Sequence, residues 1–322
     1  MRETVFVTGA TGYLGGHCAR VLEQAGFRVR RGARRPPPHI NGQDWFCYGD
    51  LAEKPQFREA VDGCNTVVHF AGPSQSGGSA QEIAHSRRVH VEGTSSLAAA
   101  CASAGVGRLV FISTALVLAG SRNAAGRIDD LSPPRPLTPY ACHKSEAEAA
   151  LRAQPETSGT SFVILRPPMV YGPGAPGNFR RLMRLVASGL PIPLGLATAP
   201  KSFIFIDNLM SAIMLAMTHE NACGSAFLIA DAEETSTAEL IRLMASAMQR
   251  PARLLPVPAT MLRAFFKVAG RTSEIESLLQ PLAIDSKGIA SRLGWCPPVT
   301  LENGVARTVA TWRTPASEHR RR

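Results

Sequence analysis

The chain has 322 residues, 45% of them hydrophobic and 19% charged, and a formal net charge of +10. A chain of this length can bury a large core, as a nucleotide-binding domain with a smaller lobe, and its apolar run 203–217 is interrupted by Asp207 and Asn208 and too short to span a bilayer. Only 6% of residues are aromatic and none interleave with a basic stripe, which argues against nucleic acid and leaves an acidic surface or an anionic small molecule to match the positive charge.

The apolar run Thr4–Thr8 reads as a strand that begins too close to Met1 for a secretion signal, so a cytoplasmic protein is expected. It breaks into Gly9-Ala10-Thr11-Gly12-Tyr13-Leu14-Gly15-Gly16 and then into a helical pattern, Cys18–Ala25. Strand, tight turn and helix in this order set a pyrophosphate on a helix N-terminus. Gly9 permits the turn, Gly12 lets the backbone approach phosphates, and Gly15 lets the helix lie close to the strand. Further strand patterns follow at Arg28–Arg31, Trp45–Tyr48, Thr66–Phe70, Arg108–Ser113 and Ser161–Arg166, with helical patterns at Gln56–Val61, Gln81–Ala104 and Tyr140–Ala153 between them. This alternation predicts an α/β fold, a Rossmann-type doubly wound parallel sheet. Residues 1–173 are assigned to a dinucleotide-binding domain and 174–322 mainly to a smaller α/β substrate-binding lobe, whose strand at 201–206 is expected to rejoin the main sheet. Helical patterns at Asn178–Ser188, Leu209–His219, Thr237–Arg250 and Met261–Val268 fill that lobe. The loop Ala119–Pro139 either lies over a site or is an ordinary surface loop. Seven scattered cysteines without a C-x-x-C pair, and no His cluster, predict reduced thiols and no metal site.

Two features place chemistry on this frame. Ser113 and Thr114 end a strand, so their hydroxyls emerge at its C-terminal edge, where wound sheets bind ligands. Tyr140 and Lys144 stand four apart on a helix and share a face. A phenol ionises near pH ~10, and a neighbouring ammonium lowers that value toward useful acid–base work. Tyr140, Lys144 and Thr114, helped by Ser113, are therefore the candidate catalytic set.

With these motifs in this order, the chain resembles the extended short-chain dehydrogenase/reductase family, the epimerase/dehydratase group. The carrying residues are Gly9, Gly12 and Gly15, then Gly49-Asp50-Leu51, His69-Phe70-Ala71-Gly72, the Ser113-Thr114 strand end, Tyr140 and Lys144, Leu165-Arg166-Pro167-Pro168 and Tyr171-Gly172-Pro173-Gly174. The resemblance implies cofactor contacts from Gly9, Thr11, Gly12, Tyr13, Leu14, Gly15, Asp50, Leu51, Ala71, Gly72, Tyr140, Lys144 and Pro167. It also implies hydride transfer at C4 of a nucleotide-linked, UDP-type sugar and a homodimer paired through the helices at 81–104 and 140–153. The second half is most similar to bacterial 4-ketoreductases and dehydrogenases of the quinovosamine and fucosamine kind. The resemblance leaves open a 4-epimerase that retains NAD, a reductase of a non-sugar ketone or steroid, and a non-catalytic NADP-binding regulator.

Several positions depart from the family pattern. Leu118 replaces the Tyr usual in epimerases, Met169 and His90 each replace an Asn, and Lys201 replaces a phosphate-binding Arg. The Leu118 and Met169 changes fit the reductase branch better. Lys201 still offers a point charge to a substrate phosphate but lacks the planar fork. Asn178 either touches that phosphate or caps a helix, and Asp207 and Asn208 are read as caps rather than substrate ligands. His69 is expected to satisfy a backbone group. At the end of the second strand Ala33 stands where NAD-selective sites offer an acid, and Arg34 follows, so NADP(H) is expected over NAD(H).

Overall fold

The computed structural model describes residues 2–35, 44–53, 55–70, 72–73, 78–123, 126–154, 159–270 and 272–312. Its strands are β1 (Thr4–Thr8), β2 (Arg28–Ala33), β3 (Trp45–Cys47), β4 (Thr66–His69), β5 (Arg108–Ile112), β6 (Ser161–Arg166), β7 (Met169–Tyr171), β8 (Phe203–Phe205) and β9 (Ser225–Leu228). Its helices begin with α1 (Tyr13–Gln24), α2 (Arg58–Val61), α3 (Ala80–Arg87), α4 (Gly93–Ala104), α5 (Pro139–Arg152) and α6 (Gly177–Ser188). They continue with α7 (Ile206–Thr218), α8 (Thr237–Ala247), α9 (Ala259–Val268), α10 (Thr272–Leu279), α11 (Lys287–Leu293) and α12 (Leu301–Ala310). Two compact units result: one of Met1–Pro168, Met210–Ile229 and Asp285–Cys296, the other of Met169–Leu209, Ala230–Ile284 and Pro297–Arg322.

The first unit carries a seven-stranded sheet in the order β3-β2-β1-β4-β5-β6-β9, parallel throughout. This is the doubly wound, Rossmann-type sheet that the alternating pattern predicts. Winding reverses between β1 and β4, which pair Val5 with Thr66 and Thr8 with His69. Ligands bind at such a switch point, beyond the carboxyl ends of the strands. Strand residues Phe6, Val67, Leu109, Phe111 and Ile164 form one core with Leu97, Ala98 and Cys101 of α4 and Ala147 and Leu151 of α5. Burial on both faces is why these strands read as continuous apolar runs.

The pattern at Gln81–Ala104 is broken in two. Ser79 caps α3 with a reciprocal Ser79–Glu82 box, a π-helical turn spans Arg88–Glu92, and α4 begins at Gly93. Such a turn adds a residue to the helical repeat and re-aims the side chains within it, here His90.

In the second unit, β7 and β8 form a two-stranded parallel sheet, Met169 opposite Phe203 and Tyr171 opposite Phe205. The strand expected at 201–206 therefore does not rejoin the main sheet. β9, which lies beside β6, supplies the seventh strand instead. Tyr171 stacks on Phe179 with ring centroids 5.3 Å apart, and α6 buries Phe179, Leu182, Met183 and Val186. Asn208 is no helix cap: its Nδ2 donates to Asp231 Oδ1 and to the Val299 carbonyl, each at 2.7 Å, and its Oδ1 accepts from Val299 N. Asp231 also accepts from Tyr171 Oη at 2.9 Å and from Phe205 N. Burial raises this carboxyl to about 6.

A Cβ at Gly15 would be driven into the carbonyl of Gly9 and would lie 3.0 Å from that of Thr8. Gly15→Ala should lower stability by about 1–3 kcal/mol through overpacking. Denaturant unfolding of the variant measures this, and an unchanged midpoint contradicts the close packing.

Candidate active site

The β1–α1 turn is built without side chains. Gly9 has φ +66°, the Gly12 amide donates to the Gly9 carbonyl at 2.8 Å, and Gly12 is the N-cap of α1 with no side-chain cap bond. No acidic residue occupies the first turn of α1, so that turn itself supplies no charge to offset the positive end of the helix dipole. Thr11 and Gly12 are exposed, and Tyr13 and Leu14 are half-buried. These residues fit a dinucleotide, whose pyrophosphate would lie against the N-terminal turn of α1. Leu51 is buried and half-buried Asp50 accepts from Ala52 N at 2.9 Å, which holds its turn. Gly72 is exposed with φ +132°, and the Pro167 carbonyl accepts from Ala115 N at 2.8 Å. Ala71 lies outside the described residues.

Beyond the carboxyl end of β5 the two hydroxyls part company. Ser113 Oγ donates to Glu148 Oε1 at 2.6 Å and is committed to the core. Thr114 Oγ1 accepts from Leu116 N at 3.3 Å, capping the short 3₁₀ turn Ala115–Leu118, and keeps its own proton to donate. Of the pair, Thr114 is therefore the hydroxyl available for a ligand, and the helping role expected of Ser113 gives way to its bond with Glu148.

Thr138 caps α5, with Pro139 in its first turn, so Tyr140 enters at the start of the helix. Lys144 follows one turn later, fully buried, with Nζ donating to the Ile112 carbonyl at 2.9 Å and lying 4.5 Å from the Phe111 ring centroid. Burial pulls Lys144 down to about 7 and pushes the Tyr140 phenol up to about 12. The expected lowering of the phenol by its ammonium neighbour is thus not found; burial is the cause of its shift.

His90, noted in the sequence only as a departure, packs edge-on against Tyr140 with centroids 5.5 Å apart. Its Nε2 bonds the Pro73 carbonyl at 3.0 Å, and burial followed by the Lys144 charge lowers it to about 3, so the ring is neutral. A Cβ on Gly72 would collide with this ring. His69 bonds hydroxyls rather than backbone: Nδ1 meets Thr8 Oγ1 at 2.7 Å and Nε2 meets Thr94 Oγ1 at 3.2 Å.

Glu148, one further turn along α5, escaped the sequence reading altogether. It is 1% exposed, and besides Ser113 it accepts from Arg166 Nε at 3.0 Å, Arg166 Nη2 at 2.5 Å and both terminal nitrogens of Arg152 at 3.3 Å. The K-x-x-x-E spacing after Lys144 was the available signal.

In the second unit the two substrate candidates meet on α10. Asn178 Nδ2 donates to Ser277 Oγ at 2.9 Å, and Lys201 Nζ donates to the Ser277 carbonyl at 2.7 Å. The N-cap of α6 is Pro176, so Asn178 is not the cap. Burial lowers Lys201 to about 8.

The sequence profile described as the NAD dependent epimerase/dehydratase family matches residues 5–230. A UDP-glucose 4-epimerase of Vibrio cholerae is 32% identical, covering 96% of this chain and 95% of its own. Among solved structures, MoeE5 in complex with UDP-glucuronic acid and NAD is 25% identical with a TM-score of 0.76, covering 96% of this chain and 98% of its own. The UDP-glucose 4-epimerase of Thermus thermophilus in complex with NAD shares the fold at a TM-score of 0.78 and 24% identity, covering 97% of this chain and 100% of its own.

The NADP(H) expectation is overturned by MoeE5, which was solved with NAD. A physical reason lies beside Arg34. Its guanidinium is 3.5 Å from the Asp50 carboxylate, so part of the charge that a 2′-phosphate would need is already countered.

Lys144 has its pKa lowered in the folded chain from an ordinary 10.5 to about 7, so between these values the unfolded chain binds more protons. Its contribution makes stability rise with pH across that window, and the full penalty of the buried charge applies below about 7. Lys144→Met should flatten this slope in urea unfolding measured across the window; an identical slope in the variant refutes the buried charge.

Proposed function

Because the chain belongs to the NAD dependent epimerase/dehydratase family, and is an enzyme of it, we propose that it moves a hydride at C4 of a nucleotide-linked sugar with NAD, as a 4-epimerase. The observation that carries this reading is the placement of Thr114, Tyr140 and Lys144 beyond the carboxyl end of β5, in the same unit as the bare glycine turn. Similarity across nearly the full length to a UDP-glucose 4-epimerase supports the UDP-sugar class.

In this reading the glycine turn holds the pyrophosphate, Asp50 and Leu51 flank the adenine end, and Gly72, Pro167, Tyr140 and Lys144 adjoin the nicotinamide end. The bound nicotinamide supplies a reversible hydride acceptor at neutral pH. Thr114 donates a hydrogen bond to the sugar O4 and fixes it. Tyr140 takes the O4 proton in the oxidising half and returns it in the reducing half. Burial alone keeps the phenol protonated, the state needed to give a proton. Taking one requires a nearby positive charge, which Lys144 carries one helical turn away. Asn178 and Lys201 hold the nucleotide diphosphate, Lys201 as a point charge.

A second reading, reduction of a 4-keto sugar, is favoured by Leu118, which is fully buried where epimerases carry Tyr, and by Met169. The two readings separate in one assay. Purified protein given UDP-glucose and no added cofactor should form UDP-galactose, whereas consumption of a 4-keto sugar only on addition of NADH assigns the reductase.

Tyr140→Phe should cut turnover by roughly 10²–10⁴-fold, the usual worth of a positioned acid–base group, while NAD binding measured by fluorescence is retained. Turnover close to that of the unmodified enzyme removes Tyr140 from the mechanism. Thr114→Val should lower turnover with smaller loss than Tyr140→Phe, and Ser113→Ala should act on stability through Glu148 rather than on the reaction.

A further inference from the structure

Exposed large apolar side chains are concentrated in one part of the second unit. Met261, Phe265 and Val268 of α9 stand at positions i, i+4 and i+7, hence on one helix face, and Phe265 and Val268 are 70% and 92% exposed. Leu190, Leu196 and Leu255 are exposed on two neighbouring segments. Those segments are knitted together by Ile192 N to Arg253 O, Leu255 N to Ile192 O and Gly195 N to Leu255 O, at 2.8, 2.8 and 2.9 Å, and the second leads through Pro258 into α9. Leu262 is the side chain by which α9 is anchored, since it is the buried residue of the helix. An exposed apolar cluster of this kind marks something that covers it.

Charge identifies the cover. Residues 250–273 contain Arg250, Arg253, Arg263, Lys267 and Arg271 and no Asp or Glu. Arg263 and Lys267 lie on the side of α9 away from Met261, Phe265 and Val268, the former paired with Glu276 of α10 at 2.7 Å. An apolar stripe backed by basic residues is the pattern of a helix lying in the plane of a membrane interface, where the stripe enters the acyl boundary and the cations reach anionic headgroups. Among the described residues no helix is long and apolar enough to cross a membrane, so the contact is peripheral.

We propose that α9, with the 190–196 and 253–257 segments beside it, docks the protein on an anionic lipid bilayer. This site is separate from the residues assigned to the reaction and does not depend on which sugar is turned over.

The test is sedimentation of the full chain with vesicles of phosphatidylcholine alone and of phosphatidylcholine mixed with phosphatidylglycerol. Binding should require phosphatidylglycerol, weaken at high salt, and fall at least about tenfold in a Phe265→Ser/Val268→Ser variant. Lys267→Glu, a single exposed charge reversal that leaves the apolar stripe intact, should weaken it by a smaller factor. Leu131→Ser, at an exposed leucine of the first unit, should bind as the unmodified chain does. Turnover in solution should be unchanged in all three. The proposal is overturned by failure to sediment with phosphatidylglycerol vesicles at low salt. Equal binding by the double variant and the unmodified chain also overturns it, as does a dimer that this variant dissociates without any vesicle binding. If the double variant does not fold by circular dichroism, Lys267→Glu decides, and unaltered binding there rejects the docking.

Discussion

The arrangement around β5 and β6 hangs on one buried carboxylate. Glu148 sits on α5 among the ends of two strands, and its oxygens are saturated by Ser113, Arg166 and Arg152. A buried ion left half-paired destabilises by several kcal/mol, roughly 3–5 on removing one partner, so these groups hold one another in a single geometry. The consequence is positional. With Glu148 pinned to Arg166 at the end of β6 and to Ser113 at the end of β5, α5 has one rotation about its axis, and Lys144 one turn earlier is aimed at the Ile112 carbonyl. Tyr140, one turn earlier again, is carried to the edge of the sheet beside His90.

The same rigidity explains how a lysine can be buried at all. Lys144 has the Ile112 carbonyl and the face of Phe111 as partners, and Glu148 nearby opposes its loss of charge, yet burial prevails. A lysine poised near neutrality and a phenol driven upward are two results of one dry environment. Dry surroundings strengthen each electrostatic contact made there.

Much of this was legible from the amino-acid order. The turn Gly9 to Gly15 reads directly, because left-handed backbone and close helix packing admit glycine almost alone. The strands β1, β4, β5 and β6 read as apolar runs because both their faces are covered, and Tyr140 and Lys144 fall on one face by helical period. Other features were hidden for physical reasons. β9 is a four-residue edge strand whose partner β6 is far away in the chain, Val163 opposite Ser225, and nothing local announces it. The π turn at Arg88–Glu92 lies within an uninterrupted helical pattern, and the Arg34–Asp50 pair joins residues on separate strand ends.

Local order along the chain thus determined the wound parallel sheet, the glycine bend between β1 and α1 and the identity of the Tyr–Lys pair, since each depends on backbone preferences and spacings within a few residues. Tertiary structure decided what those groups are able to do. It committed Ser113 to Glu148 and left Thr114 available, turned a simple ammonium–phenol expectation into two opposed burial shifts, set a carboxylate against Arg34, and brought Asn178 and Lys201 together on Ser277. Each of these rests on a partner distant in sequence, and solvent exclusion, which sets their charge states, is a property of the packed molecule rather than of any segment.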